Sequence, residues 1–281
     1  MLWIGGYHQQ ELVGGKQELR MPDHLEDDVS GSSPILLLTN DDGWDAPGLA
    51  ALKRASNGLG RGCVVAPIGP ISLCSHRVTT DGPLVVARPA EGFIAVSGTP
   101  ADCVRLALHH LVPNPSWVLA GINAGGNLGT DVHYSGTVAA AREAVIHGVP
   151  AIAISHYIAR GRPIDWDRAA HWATTVLKTL MARTWEPGML WNVNLPHPGP
   201  GQPEPEVVFC RLDPSPLPLR YRVDGDRSTY AGDYQSRARR PGFDVDVCFG
   251  GNIAVTMMRI ADDSLPPEEP PSDSSHRFER F

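Results

Sequence analysis

Four short apolar runs, with helical patterns spaced among them, constrain this chain more than any other feature. They are Ile35–Thr39, Cys63–Ala66, Trp117–Ala120 and Ala151–Ser155. Continuous apolar runs of four or five residues are the mark of strands buried on both faces. Between and after them come helical stretches with their own punctuation. Pro47–Asn57 has proline at its start and Gly58 at its end. Thr99-Pro100-Ala101-Asp102 is a capping signature that opens a helix to about Leu111. Thr137–His147 is stopped by Gly148 and Pro150, and Asp165–Arg183 forms a fourth helix. Leu84–Ala87 and Phe93–Val96 read as additional strands. The alternation predicts an α/β fold, a Rossmann-like three-layer αβα sandwich with a mostly parallel sheet.

After Leu190 the pattern changes. Residues 196–250 are rich in Pro, Arg and Asp, with short strands expected at Glu206–Arg211 and Tyr221–Val223 and a late strand at Ile253–Ile260. They read as a small C-terminal β-rich arm. Residues 1–33 read as a disordered or loosely attached extension, with Met21 an alternative start, and 262–281 as a flexible acidic, proline-rich tail. The main domain is expected over 34–261.

Charge narrows the partners. The net charge is −7, and each end segment carries six acids and two bases, so the body is near neutral. A broad basic footprint for a nucleic acid polymer is absent, while a small anionic substrate remains open. No stretch of about 18 apolar residues suggests a membrane span, and the N-terminus does not read as a signal peptide. Five cysteines without a CxxC spacing argue against a disulfide framework or structural zinc and fit a reducing cytoplasm.

Ligands of open parallel sheets bind beyond the carboxyl ends of the strands, so the chemistry is sought there. After the first run stands Asn40-Asp41-Asp42-Gly43. Two adjacent carboxylates repel each other unless a cation sits between them; the alternative is a solvated Asp-Asp-Gly turn. After the second run, the loop Pro67–Ser75 carries Ser72 and Ser75, either loop residues or hydroxyl ligands. After the third comes a glycine-rich loop, Gly121–Gly136, with Asn123 and Asn127. It leads to Ser135-Gly136-Thr137 at a helix N-terminus, where free N–H groups and hydroxyls form a phosphate site or simply a cap. There is no P-loop, no dinucleotide-binding glycine turn in context and no Gly-x-Ser-x-Gly elbow.

Taken in order, several segments resemble the survival-protein SurE family of metal-dependent nucleotidases. They are Thr39-Asn40-Asp41-Asp42-Gly43, Val96-Ser97-Gly98-Thr99-Pro100-Ala101-Asp102, the run Gly121 to Ala140, Gly148-Val149-Pro150-Ala151, and Trp191-Asn192-Val193-Asn194. The resemblance implies a doubly wound sheet with a projecting β arm used in homo-oligomerisation, as a dimer or tetramer. It implies one divalent metal ion, Mg²⁺ or Mn²⁺, on Asp41, Asp42, Ser72 and Asn123, and dephosphorylation of nucleoside monophosphates. One stretch departs from the family pattern of Asp-Arg, two residues and Ser-Gly: Ile68-Gly69-Pro70-Ile71-Ser72-Leu73 keeps only the serine.

The expected mechanism is metal-assisted attack by water, with Asp41 or Asp42 accepting a proton or orienting the nucleophile. Asn40, Asn127, Ser135, Gly136 and Thr137 are the phosphate-binding set. His156, directly after a strand, and His133, in the loop, are candidates for a general acid. Thr99, Asp102 and Cys103 fit capping and packing, and Cys74 and His76 fit local packing. The competing readings are a phosphatase for another monoester or short polyphosphate, and a nucleotide- or metal-binding homologue without turnover.

Overall fold

The computed structural model describes residues 33–199 and 201–260. The N-terminal extension, except Ser33, and the acidic tail lie outside the described residues.

Among the described residues, eleven strands and five α-helices follow one another, with the alternation that the apolar runs predict. The first half contains β1 (Ile35–Thr39), α1 (Pro47–Ala55), β2 (Arg61–Pro67), β3 (Val86–Ala90), β4 (Phe93–Val96) and α2 (Pro100–Leu106). Then come β5 (Trp117–Ala124), α3 (Gly136–Ile146), β6 (Ala151–His156), α4 (Trp166–Met181) and β7 (Met189–Leu195). The last part holds β8 (Val207–Phe209), β9 (Tyr221–Asp224), β10 (Arg227–Tyr230), α5 (Asp244–Phe249) and β11 (Ile253–Arg259).

Nine strands form one sheet in the order β3-β4-β2-β1-β5-β6-β7-β11-β8. Its centre, from β4 through β7, is parallel; β3 and β11 run antiparallel to their neighbours β4 and β7. Strand β1 shows why both faces are covered. Leu36 and Leu38 enter the core that packs α1 and α4, while Leu37 enters the core that packs α2 and α3. The period of two along a strand sends these side chains to opposite faces, and both faces are apolar.

The chain moves outward from β1 to β2 on one side and to β5 on the other. This reversal leaves a crevice at the carboxyl ends of β1 and β5, where the connections diverge.

Several boundaries differ from the sequence expectation. β5 continues through Ala124, so the glycine-rich loop begins later than Gly121, and Gly129–His133 within it forms a 3-10 turn. The second helix ends as α-helix at Leu106 and finishes in a π-helical turn, Ala107–Leu111. Strand β7, helix α5 and strand β10 were not expected. Strands β8 and β11 extend the main sheet, whereas β9 and β10 form a separate antiparallel ribbon.

Candidate active site

Asp41 is the first carboxylate beyond β1 and is almost fully buried. The Thr137 hydroxyl donates to its Oδ1 at 2.6 Å. That contact requires the start of α3 to stand against the end of β1, and Gly136 permits it. A Cβ on Gly136 would lie 2.8 Å from Cys74 Sγ and 3.0 Å from both Asp41 Cβ and Oδ2. The helix N-terminus, with its free N–H groups, is thus packed onto a carboxylate. Burial pushes the Asp41 carboxyl up to about 6; the hydrogen bond from Thr137 opposes this and the neighbouring Asp42 charge adds to it.

Asp42 is more exposed, and its Oδ2 accepts from the Ala124 N–H at 3.1 Å. This joins the ends of β1 and β5. Asn123 donates through Nδ2 to the Gly125 carbonyl at 2.8 Å, which leaves its amide oxygen as an acceptor. The loop after β2 is tied to the same place, because the Ile71 N–H donates to the Asp41 carbonyl at 2.8 Å. Ser72 follows directly and is exposed.

These residues fit a divalent cation. Neither Asp41 nor Asp42 has an ion-pair partner among the described residues. Two carboxylates without an ion-pair partner, an amide oxygen and a hydroxyl are hard oxygen donors that could hold a divalent cation. Among the described residues no group of three His, Cys, Asp or Glu side chains is placed to hold a metal ion.

Other expected site residues stand differently. Asn40 is fully buried, its Nδ2 donating to the Gly43 carbonyl and its Oδ1 accepting from the Gly43 N–H. It shapes the aspartate turn, each end of its amide bonding Gly43. Asn127 is held by β6 and β7: its Nδ2 donates to Ser155 Oγ at 2.6 Å, and its carbonyl accepts from Asn192 and Asn194. The Ser135 hydroxyl caps α3, accepting from the Val138 N–H at 3.0 Å. His156 packs among Trp166, Trp172 and His197. Burial pulls its pKa down to about 4, so it is a neutral ring that donates through Nδ1 to the Tyr157 carbonyl. Thr99 and Asp102 form a reciprocal capping box on α2.

The sequence reading missed a clasp on the glycine-rich loop. Arg237, whose side chain is fully buried, donates to Asp131 Oδ2 at 2.7 Å, and the Tyr234 hydroxyl donates to the same oxygen at 2.7 Å. Asp244 accepts from the Gly129 N–H at 2.7 Å through one oxygen and from the Asp213 N–H at 2.7 Å through the other. The loop that delivers Ser135–Thr137 is therefore fastened by a segment about a hundred residues downstream. Asp131 was visible inside the loop, but no local pattern links it to Arg237.

A family model described as "Survival protein SurE" matches residues 36–214. A Synechocystis sp. protein, named as a candidate 5′-nucleotidase, is 53% identical over 225 residues, covering 80% of this chain and 99% of its own. The 5′-nucleotidase SurE of Paramagnetospirillum magneticum is 37% identical over 241 residues, covering 80% and 89%. Among solved structures, the crystal structure of the SurE protein from Aquifex aeolicus matches with a TM-score of 0.72 at 32% identity, covering 80% and 93%.

Proposed function

The chain belongs to the survival protein SurE family, and on that premise we propose that it is a metal-dependent 5′-nucleotidase, a phosphoric monoester hydrolase. Its substrates are nucleoside 5′-monophosphates, with 3′-monophosphates as a second class, and its products are nucleoside and phosphate. Residues 34–261 form the phosphatase domain. The observation that carries this reading is the contact between Thr137 and Asp41. It sets an anion-binding helix end directly against a carboxylate pair, and a phosphate held by a cation needs both.

Asp41, Asp42, Ser72 and Asn123 would hold the divalent cation. When bound, the cation supplies Lewis acidity toward a phosphoryl oxygen and the attacking water. The backbone at Ser135, Gly136 and Thr137 holds the phosphate and meets the charge that develops on it. Asn127 fixes the approach of that loop through Ser155. Asp42, the more exposed carboxylate, orients the water or takes its proton. Water forms the new P–O bond, the ester P–O bond breaks, and the leaving oxygen takes a proton to become the nucleoside hydroxyl.

The ribbon of β9 and β10 supports a homo-oligomer. Tyr221, Val223 and Tyr230 on it are exposed, an apolar surface that a second copy would cover. No helix among the described residues is long and apolar enough to cross a membrane.

Phosphate release from a panel of nucleoside monophosphates tests the reading. Release is expected with Mg²⁺ or Mn²⁺ and is lost in chelator and in Asp41→Asn. Release that persists in chelator removes the cation from the mechanism; no release from any nucleotide by folded protein overturns the activity.

A further inference from the structure

The loop after β2 contains two of the three non-glycine residues with left-handed backbone among the described residues: Leu73 at φ 55° and Ser75 at φ 51°. Ser75 has compensation. Its N–H donates to the Tyr134 carbonyl at 3.1 Å and its hydroxyl to the His133 carbonyl at 2.7 Å. Leu73 has none. Its side chain is 82% exposed, so the strained backbone is not repaid by packing. A leucine in this conformation costs about 1–2 kcal/mol relative to glycine's free access to it. Uncompensated strain of this kind concentrates at ligand clamps.

The position of the loop says what the clamp would meet. Leu73 follows Ser72, at the cation end of the crevice. Tyr134 precedes Ser135, at the phosphate end, and its side chain is 53% exposed. The two hydrogen bonds from Ser75 tie the loop after β2 to the residues just before α3, which sets exposed Leu73 and exposed Tyr134 on adjoining loops. We propose that Leu73 and Tyr134 form an apolar rim that receives the base of the nucleotide whose phosphate lies at Ser135–Thr137. The inference rests on the nucleotidase reading and adds the residues that distinguish a base-bearing ester from a bare sugar phosphate. An aromatic ring and an aliphatic side chain recognise a π-face without reading its edge, so the rim selects for a base over no base, not for one base over another. The departure from the family pattern at Leu73 thus becomes a specificity-determining feature of this chain.

The test is the ratio of kcat/KM for adenosine 5′-monophosphate to that for ribose 5-phosphate, which lacks a base. The unaltered protein is expected to favour the nucleotide. Leu73→Gly combined with Tyr134→Ala is expected to lower the ratio about tenfold, mainly through KM for the nucleotide. Leu73→Gly alone, which relaxes the backbone, is expected to lower it by a smaller factor. An unchanged ratio, including an equal fall in both values, overturns the rim and leaves the nucleotidase reading intact. Turnover of neither substrate by the unaltered protein overturns the nucleotidase reading and the rim with it.

Discussion

Thr137 Oγ1 donates to Asp41 Oδ1 at 2.6 Å, joining the first turn of α3 to the end of β1 across 96 residues of chain. Both groups are buried. Removing the donor leaves a carboxylate in a poor environment, since burial already opposes its charge. Thr137→Val keeps the shape and removes the hydroxyl. It is expected to lower stability by about 1.5–3 kcal/mol, the range for a hydrogen bond to a charged group. It should also cut kcat/KM at least tenfold. Urea denaturation and steady-state kinetics check the two parts; full activity would mean that the contact does not orient Asp41.

Relief at Leu73 has the opposite sign. The residue is at φ 55° and 82% exposed, so Leu73→Gly removes strain and loses almost no burial. Glycine gives back part of the gain through its greater freedom in the unfolded chain. The expected net stabilisation is about 0.5–1 kcal/mol, seen as a higher urea midpoint at unchanged slope. A lower midpoint would show that the leucine side chain supports the fold.

Glu143 gives a pH signature. It sits buried on α3 between His76 at 2.7 Å, His147 at 3.0 Å and Arg105 at 3.4 Å. Burial pushes its carboxyl up, but the hydrogen bonds from His76 and His147 and the charges of His76 and Arg105 outweigh burial and hold it below its ordinary value. A carboxyl depressed in the folded state stabilises the protein above its unfolded pKa and loses that contribution as pH falls through the folded one. Glu143→Gln should therefore cost about 2 kcal/mol at pH 7. The gap from the unaltered protein should close as pH drops below about 4. Denaturation across pH 3–8 reads this; a gap independent of pH would assign Glu143 a packing role alone.

The Asp131–Arg237 pair lies in the interior, where losing one partner is costly. Arg237→Met strands a buried carboxylate, with Tyr234 its remaining side-chain donor, and should cost about 3–5 kcal/mol. Asp131→Asn combined with Arg237→Met should cost less than the sum of the singles. Because the pair fastens the loop that leads to Ser135, the single variants should also raise KM. A double-mutant cycle with no coupling would remove the clasp from the account of the site.

The parts of this architecture that were legible in the sequence share a physical cause. β1, β2, β5 and β6 are buried on both faces, so their composition alone marks them. β7 is equally buried, yet its pattern is broken by Asn192 and Asn194. Their amides donate to the Asn127 carbonyl, a long-range use of polar side chains that a scan for apolar runs rejects. The two aspartates stood out because they follow β1, and Asn123 because it follows the apolar run Trp117–Ala120, although β5 itself continues through Ala124. Asn40 looks like a ligand because it is an amide beside two aspartates, and only the fold reveals that each end of that amide also bonds Gly43. Arg237 was one arginine among many, and its role depends on a partner 106 residues away.

Gly136 offers a way to separate fold from chemistry at the site. Its backbone needs no left-handed conformation, so alanine is excluded by space alone: the added Cβ would meet Cys74 Sγ at 2.8 Å and the Asp41 side chain at 3.0 Å. Gly136→Ala should cost about 1–3 kcal/mol, as overpacking does. It should also reduce activity sharply by pushing the helix end off Asp41. Adding Cys74→Ala removes the sulfur and opens one side of the clash, while Asp41 remains on the other. The double variant should therefore recover stability without recovering activity. Return of both would mean that α3 can shift without harm to the reaction, and that close contact between its first turn and Asp41 is only a matter of packing.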